Sequence, residues 1–128
     1  MKLSTLFRLV LLVVYCWLPG IGSAQQQTVL VFGDSLSAAY GMPREAGWVY
    51  RLQQELRRTH PQYQVINASL SGETTNGGLR RIEAVLKQHQ PDIVILELGA
   101  NDGLRGEPLK KIEANLSSLI EKIHQARA

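Results

Sequence analysis

Three short polar segments carry the residues best suited to chemistry. Gly33-Asp34-Ser35-Leu36-Ser37 follows directly on the β-branched and apolar run Thr28 to Phe32. A serine on a sharp turn at a strand end presents its hydroxyl into a cleft, which is the exposure that acyl transfer needs. Ser69-Leu70-Ser71-Gly72 follows a second such run, and Gly72 allows backbone to approach a substrate closely. Gly99-Ala100-Asn101-Asp102 follows a third. An amide such as Asn101 donates to a developing oxyanion without adding a titrating charge, and one donor of this kind contributes roughly 3 kcal/mol in the transition state. Asp34 and Asp102 are expected to brace their loops as hydrogen-bond acceptors. Each residue alone has a plainer alternative: Ser35 capping a helix, Gly72 serving a turn with positive φ, Asn101 closing an Asx-turn. Their joint occurrence at three strand ends favours chemistry.

Other motif classes are empty. The chain has no Gly-x-Ser-x-Gly elbow, no phosphate-binding Walker loop and no Gly-x-Gly-x-x-Gly fingerprint. No histidine or carboxylate pair has metal-ligand spacing, so neither metal nor other cofactor is implied.

The elements that position these loops can be read from the periodicity. Thr28 to Phe32 and Gln64 to Asn67 are expected as strands, and Asp92 to Leu98 is the most strand-like run of all. A first helix is expected with Pro43 and Glu45 in its first turn and Trp48, Leu52 and Leu56 inward, closing at His60-Pro61. A second is capped by Thr75 or Asn76, with Leu79, Ile82, Val85 and Leu86 inward, and ends before Pro91. A third follows Pro108, its apolar stripe formed by Leu109, Ile112, Leu116, Leu119, Ile120 and Ile123. The order β-α-β-α-β-α implies right-handed crossovers and a parallel sheet in a three-layer α/β/α, flavodoxin-like fold. In such sheets ligands bind at the carboxyl ends of the strands, where all three polar segments fall. No sequence after Ala128 supplies the fourth and fifth strands usual for this fold, so a C-terminally truncated domain is expected.

The three segments resemble blocks I, II and III of the SGNH (GDSL-type) hydrolases, in the right order and each directly after a strand. Within that superfamily the text resembles the acyl-CoA thioesterase I family, whose members act as thioesterases, lysophospholipases and arylesterases. The resemblance implies that Ser35 is the nucleophile. It also implies that the backbone N–H groups of Ser35 and Gly72 and the side-chain amide of Asn101 form the oxyanion hole. The substrates implied are acyl thioesters, lysophospholipids or aryl esters. An acetylated carbohydrate is an alternative within the superfamily, and a non-catalytic module that binds acyl groups or esters is an alternative outside enzymology.

The same family draws its catalytic base from an Asp-x-x-His block, and that block is absent here. The histidines are His60, His89 and His124, each at or near the end of an expected helix. A crossover helix of some 15 residues carries its end roughly 20 Å from the carboxyl edge where it starts. Glu121-Lys122-Ile123-His124 mimics the spacing but belongs to the helical pattern, where a cation favours the C-terminus. Efficient turnover by this chain alone is therefore not expected.

Residues 1–24 have the form of a signal peptide. Lys2 and Arg8 precede the apolar stretch Leu9 to Leu18, Pro19 and Gly20 break it, and Gly22-Ser23-Ala24 suits cleavage after Ala24. That stretch is too short for an uncleaved anchor. The protein is expected to be exported to the periplasm, with secretion beyond it as the alternative, leaving residues 25–128 as a partial SGNH domain with no stable membrane anchor. Cys16, the only cysteine, lies in the leader, so the mature chain relies on packing without disulfides. The charge count falls from 14 basic against 11 acidic residues to 12 against 11 once Lys2 and Arg8 are removed, and no nucleic-acid footprint remains. An apolar third strand with one edge open is expected to promote self-association.

Overall fold

The computed structural model describes residues 25–126 and 128. The expected leader, with Cys16, lies outside the described residues. Three strands, β1 (Gln27–Gly33), β2 (Tyr63–Asn67) and β3 (Ile93–Glu97), alternate with helices. The helices are α1 (Trp48–Thr59), α2 (Thr75–His89), the short α3 (Ala100–Leu104) and α4 (Leu109–Gln125). The sheet is parallel with order β2-β1-β3, Gln27 standing opposite Tyr63 and Val29 opposite Ile93. Parallel neighbours need long crossovers rather than hairpins, and α1 and α2 supply them. This order is the beginning of the flavodoxin-like 2-1-3-4-5 arrangement.

Being central, β1 is covered on both sides, which is why its sequence is continuously apolar. Leu30 and Phe32 point to one face and pack with Ile82 and Leu86 of α2 and Leu119 and Ile123 of α4. Val29 and Val31, also buried, alternate to the opposite face, where α1 lies and contributes Val49. Truncating Phe32, which is fully buried, is worth about 3 to 5 kcal/mol of stability. Gly78 lets α2 lie close to the sheet: a Cβ there would stand 2.7 Å from Leu98 Cδ1 and 3.2 Å from the Phe32 ring.

Several local expectations shift. Pro43 and Glu45 belong to a separate 3₁₀ turn, Arg44–Ala46, so α1 starts at Trp48 itself. Its inward stripe is Val49 with half-buried Leu52 and Leu56, while Trp48 is 38% exposed. One residue of offset turns a helix face by about 100°, enough to exchange Trp48 for Val49. The cap of α2 is Thr74, whose hydroxyl accepts the Gly77 N–H at 3.1 Å; Thr75 is instead fully buried. On α4, Leu109 and Ile120 face solvent, and the inward residues are Leu116, Leu119 and Ile123. The loop expected after Gly99 contains α3.

Candidate active site

The turn after β1 is held from beneath. Asp34 is 1% exposed, and its Oδ1 accepts the Leu36 N–H at 2.9 Å, closing an Asx-type turn around Ser35. The Ala38 N–H bonds the Asp34 carbonyl at 2.9 Å and the Tyr40 N–H bonds the Ser35 carbonyl at 3.1 Å, so the chain coils through successive turns rather than entering a helix. Ser35 is half-buried within this coil. At the carboxyl end of β3, Glu97 Oε2 accepts the Ser37 hydroxyl at 2.8 Å and the Asp34 N–H at 3.3 Å, bracketing Ser35 on both sides. Gly33 makes room for this carboxylate, since a Cβ there would lie 2.8 Å from both Glu97 Oε2 and Ser37 Oγ. The Asn67 amide, donating to the Ser37 carbonyl at 2.7 Å, ties the same turn to β2.

The second loop is zipped along the first. Ala68 N–H bonds the Val31 carbonyl at 2.8 Å and Leu70 N–H bonds the Gly33 carbonyl at 3.0 Å. Gly72 has φ +79°, a conformation that disfavours any side chain although the space around it is open. Arg81 of α2 clamps this loop: its guanidinium lies 4.0 Å from the Phe32 ring centre, its Nε donates to Glu73 Oε2 at 2.5 Å and its Nη1 to the Ala68 carbonyl at 2.8 Å. Arg81 Nη2 and the Ser69 hydroxyl are buried without a partner among the described residues.

The third loop closes the constellation. Asn101, in α3, donates both amide hydrogens, to Asp34 Oδ2 at 3.1 Å and to the Glu73 carbonyl at 2.9 Å. The donor expected for an oxyanion is thus committed to protein acceptors in this arrangement. Asp102, 2% exposed, turns away from Asp34 and binds Thr75, accepting its N–H at 2.8 Å and its hydroxyl at 2.6 Å. Arg105 reaches back to the Gly72 carbonyl at 3.1 Å.

Direct bonds therefore join Asp34, Asn101 and the Glu73–Gly72 segment, with Ser35 beside Asp34, while Asp102 anchors the third loop to α2. None of the three histidines belongs to these loops. His60 caps the C-terminus of α1, His89 is the last residue of α2 and His124 lies in the last turn of α4. The 12 residues of α1 alone separate its two ends by about 18 Å. The acid-x-x-His mimic at Glu121 and His124 is helical. Sequence reasoning missed Glu97, Ser37, Glu73 and Arg81. Glu97 had a signal: a carboxylate within the apolar run Ile93 to Leu98 needs hydrogen-bond partners if it is to be buried. Among the described residues no cluster of metal-ligating side chains occurs, and no helix is long and apolar enough to cross a membrane.

Three ordered loops at the carboxyl edge of a 2-1-3 parallel sheet coincide with a family match: residues 31–128 fit the GDSL-like lipase/acylhydrolase family. The chain belongs to this family. The GDSL chain is 46% identical to an arylesterase of Vibrio mimicus over 123 residues, 96% of this chain and 61% of the relative. It is 39% identical to thioesterase 1/protease 1/lysophospholipase L1 of Escherichia coli strain K12 over 128 residues, all of this chain and 60% of the relative. Among solved structures, the psychrotrophic esterase EstA from Pseudoalteromonas sp., inhibited by monoethylphosphonate, matches with a TM-score of 0.76 and 51% identity over 80% of this chain and 56% of that one. The GDSL chain thus spans about three fifths of the length of the curated relatives named here.

Proposed function

We propose that this GDSL chain carries the nucleophile half of an exported esterase or thioesterase, in which Ser35 forms an acyl-enzyme. The observation that carries this reading is the half-exposed Ser35 on a turn bracketed by Asp34, Ser37 and Glu97 at the centre of the sheet's carboxyl edge. In the proposed reaction Ser35 Oγ attacks the carbonyl carbon, and the carbonyl π-electrons move to the oxygen. The N–H groups of Ser35 and Gly72 and the Asn101 amide receive that oxyanion. The proton given up by Ser35 Oγ to a base passes to the leaving oxygen or sulfur as the tetrahedral intermediate collapses and the alcohol or thiol departs. Water then adds to the acyl carbon, the bond to Ser35 Oγ breaks, and Oγ regains a proton as the acid leaves. Asn101 takes its part by exchanging its bond to the Glu73 carbonyl for one to the oxyanion, leaving Asp34 to hold the amide in place. Aryl esters, acyl thioesters and lysophospholipids are the proposed substrates, in line with the names of the relatives.

Proton transfer from Ser35 needs a base within hydrogen-bond reach. With its three histidines at helix ends, the 128-residue chain is expected to show only residual catalysis, of order 10³ to 10⁴ over water, from oxyanion donors and binding. The same placement favours a second reading, a module that binds acyl esters without turning them over. Hydrolysis of p-nitrophenyl butyrate and palmitoyl-CoA, measured beside Ser35→Ala, separates the two. Activity that vanishes in the variant would mean that a base reaches Ser35. Prolonged exposure to a p-nitrophenyl phosphonate, followed by peptide mass spectrometry, tests the nucleophile directly. Modification at Ser35 supports the proposal, and a label that persists in Ser35→Ala, or no label at all, overturns it. Export is proposed from the leader pattern, and cleavage after Ala24 is checked by N-terminal sequencing of the processed protein.

A further inference from the structure

The rim around Ser35 is unusually apolar for surface loops. Leu36, Tyr40 and Met42 on the first loop are 66, 75 and 52% exposed. Leu70 on the second is 52% exposed, and Leu104 and Leu109, which follow the third, are 86 and 82% exposed. The loops form one face because they are bonded to one another: Leu70 N–H to the Gly33 carbonyl, Asn101 to Asp34, and Arg105 to the Gly72 carbonyl. Polar residues cost nothing at such exposed positions, so six large apolar side chains gathered on one face mark an interaction surface.

Charge narrows the partner. The exposed cations of this rim are Arg44, Arg105, Lys110 and Lys111, against the carboxylates Glu45, Glu107 and Glu113, and Glu107 is already paired with Lys111 at 2.8 Å. The apolar side chains are spread over separate segments: Leu36, Tyr40 and Met42 on the first loop, Leu70 on the second, Leu104 at the end of α3 and Leu109 at the start of α4. Shallow apolar prongs with a surplus of nearby cations suit an anionic bilayer surface, where apolar side chains enter the acyl boundary and Lys or Arg meets the headgroups. Tyr40 has the amphipathic ring favoured at that depth.

We propose that this rim docks the protein onto an anionic lipid surface. Docked in this way, the chain turns the mouth of the site, and Ser35 with it, toward esters held in the interface. That last consequence rests on the esterase proposal, whereas docking itself does not.

The test is co-sedimentation of the 128-residue chain with vesicles of phosphatidylglycerol and phosphatidylcholine, and with vesicles of phosphatidylcholine alone. Binding to the mixed vesicles is expected to weaken at least about tenfold in the triple variant Tyr40→Ser, Met42→Ser, Leu104→Ser. Pure phosphatidylcholine is expected to bind the parent several-fold less. Ile120→Ser, on the exposed side of α4, should bind as the parent does, and so should Ser35→Ala. Circular dichroism checks that each variant is folded. Should the triple variant lose structure, Arg44→Gln with Lys110→Gln carries the test through the loss of preference for anionic vesicles. No binding by the parent, equal binding by the triple variant, or an equal loss in Ile120→Ser overturns the proposal. Equal binding by the triple variant would place the affinity elsewhere, in residues 1–24 or at the β3 edge. No docking by the parent, with phosphonate labelling of Ser35 intact, would refute the lipid surface and leave the esterase reading standing.

Discussion

Replacing Asp102 by alanine removes two hydrogen bonds inside a buried site. The carboxylate, 2% exposed, accepts both the N–H and the hydroxyl of Thr75, itself fully buried. Hydrogen bonds to a charged group are worth about 1.5 to 3 kcal/mol each, giving a gross loss of roughly 3 to 6 kcal/mol. Part is returned because a buried carboxylate no longer has to be desolvated, so a net destabilisation of about 3 kcal/mol is expected. Asp102→Asn should cost about half as much. Its single carbonyl oxygen can keep the Thr75 N–H, and its amide can donate to the Thr75 hydroxyl, which already accepts from Asn115 at 2.9 Å. The Thr75 hydroxyl proton then loses its acceptor. Urea unfolding followed by circular dichroism measures both values. A loss below about 1 kcal/mol for alanine, or an asparagine variant less stable than the alanine one, would refute the reasoning.

Two further outcomes concern packing and pH. Lys122 on α4 hydrogen-bonds Glu83 on α2 and holds its carboxyl below the usual value of 4.5, with their mutual attraction adding to the effect. A depressed carboxylate contributes stability above its unfolded value and loses it as pH falls through the lower folded value. Glu83→Gln should therefore lower the midpoint of thermal unfolding near neutrality and make little difference well below pH 4.5, the gap shrinking with salt because the pair is exposed. A gap independent of pH would exclude this origin. Among the described residues β3 pairs only through its β1 side, and Ile93 on it is 42% exposed. Sedimentation velocity should show concentration-dependent association that Ile93→Lys relieves, since a charge blunts an open edge; a monodisperse parent with cooperative unfolding would contradict this.

The fold was legible because its signals are strong and local. The apolar runs of β1 and β3 and the stripe Ile82, Leu86 on α2 lie where periodicity places them, since burial on two faces or one leaves little freedom of composition. Failures occurred where neighbouring residues compete for one role. Thr74 and Thr75 are equally good caps by type, and the choice is made by Asp102, a partner 27 positions beyond Thr75. Trp48 and Val49 are separated by where α1 begins, which the preceding 3₁₀ turn decides. The loops of the candidate site could be located by their glycines and polar residues. Their wiring could not, because the Glu97 contact to Ser37 and the Arg81 clamp on Glu73 and Ala68 join residues that share no local pattern.

The bond between Asp34 and Asn101 spans 67 positions of the chain. On a growing polypeptide the first loop is made early, but the partner that fixes its aspartate exists only after β3 has been synthesised and has paired with β1. Contacts of such long sequence separation form late, because loop closure must be completed before they stabilise anything. Until then Asp34 has only the local Leu36 N–H to hold it, on a loop still free to rearrange, so the geometry around Ser35 is set near the end of folding. The sheet must exist before the site does, and slow docking of β3 would delay an ordered Ser35 turn long after β1, α1 and β2 had formed.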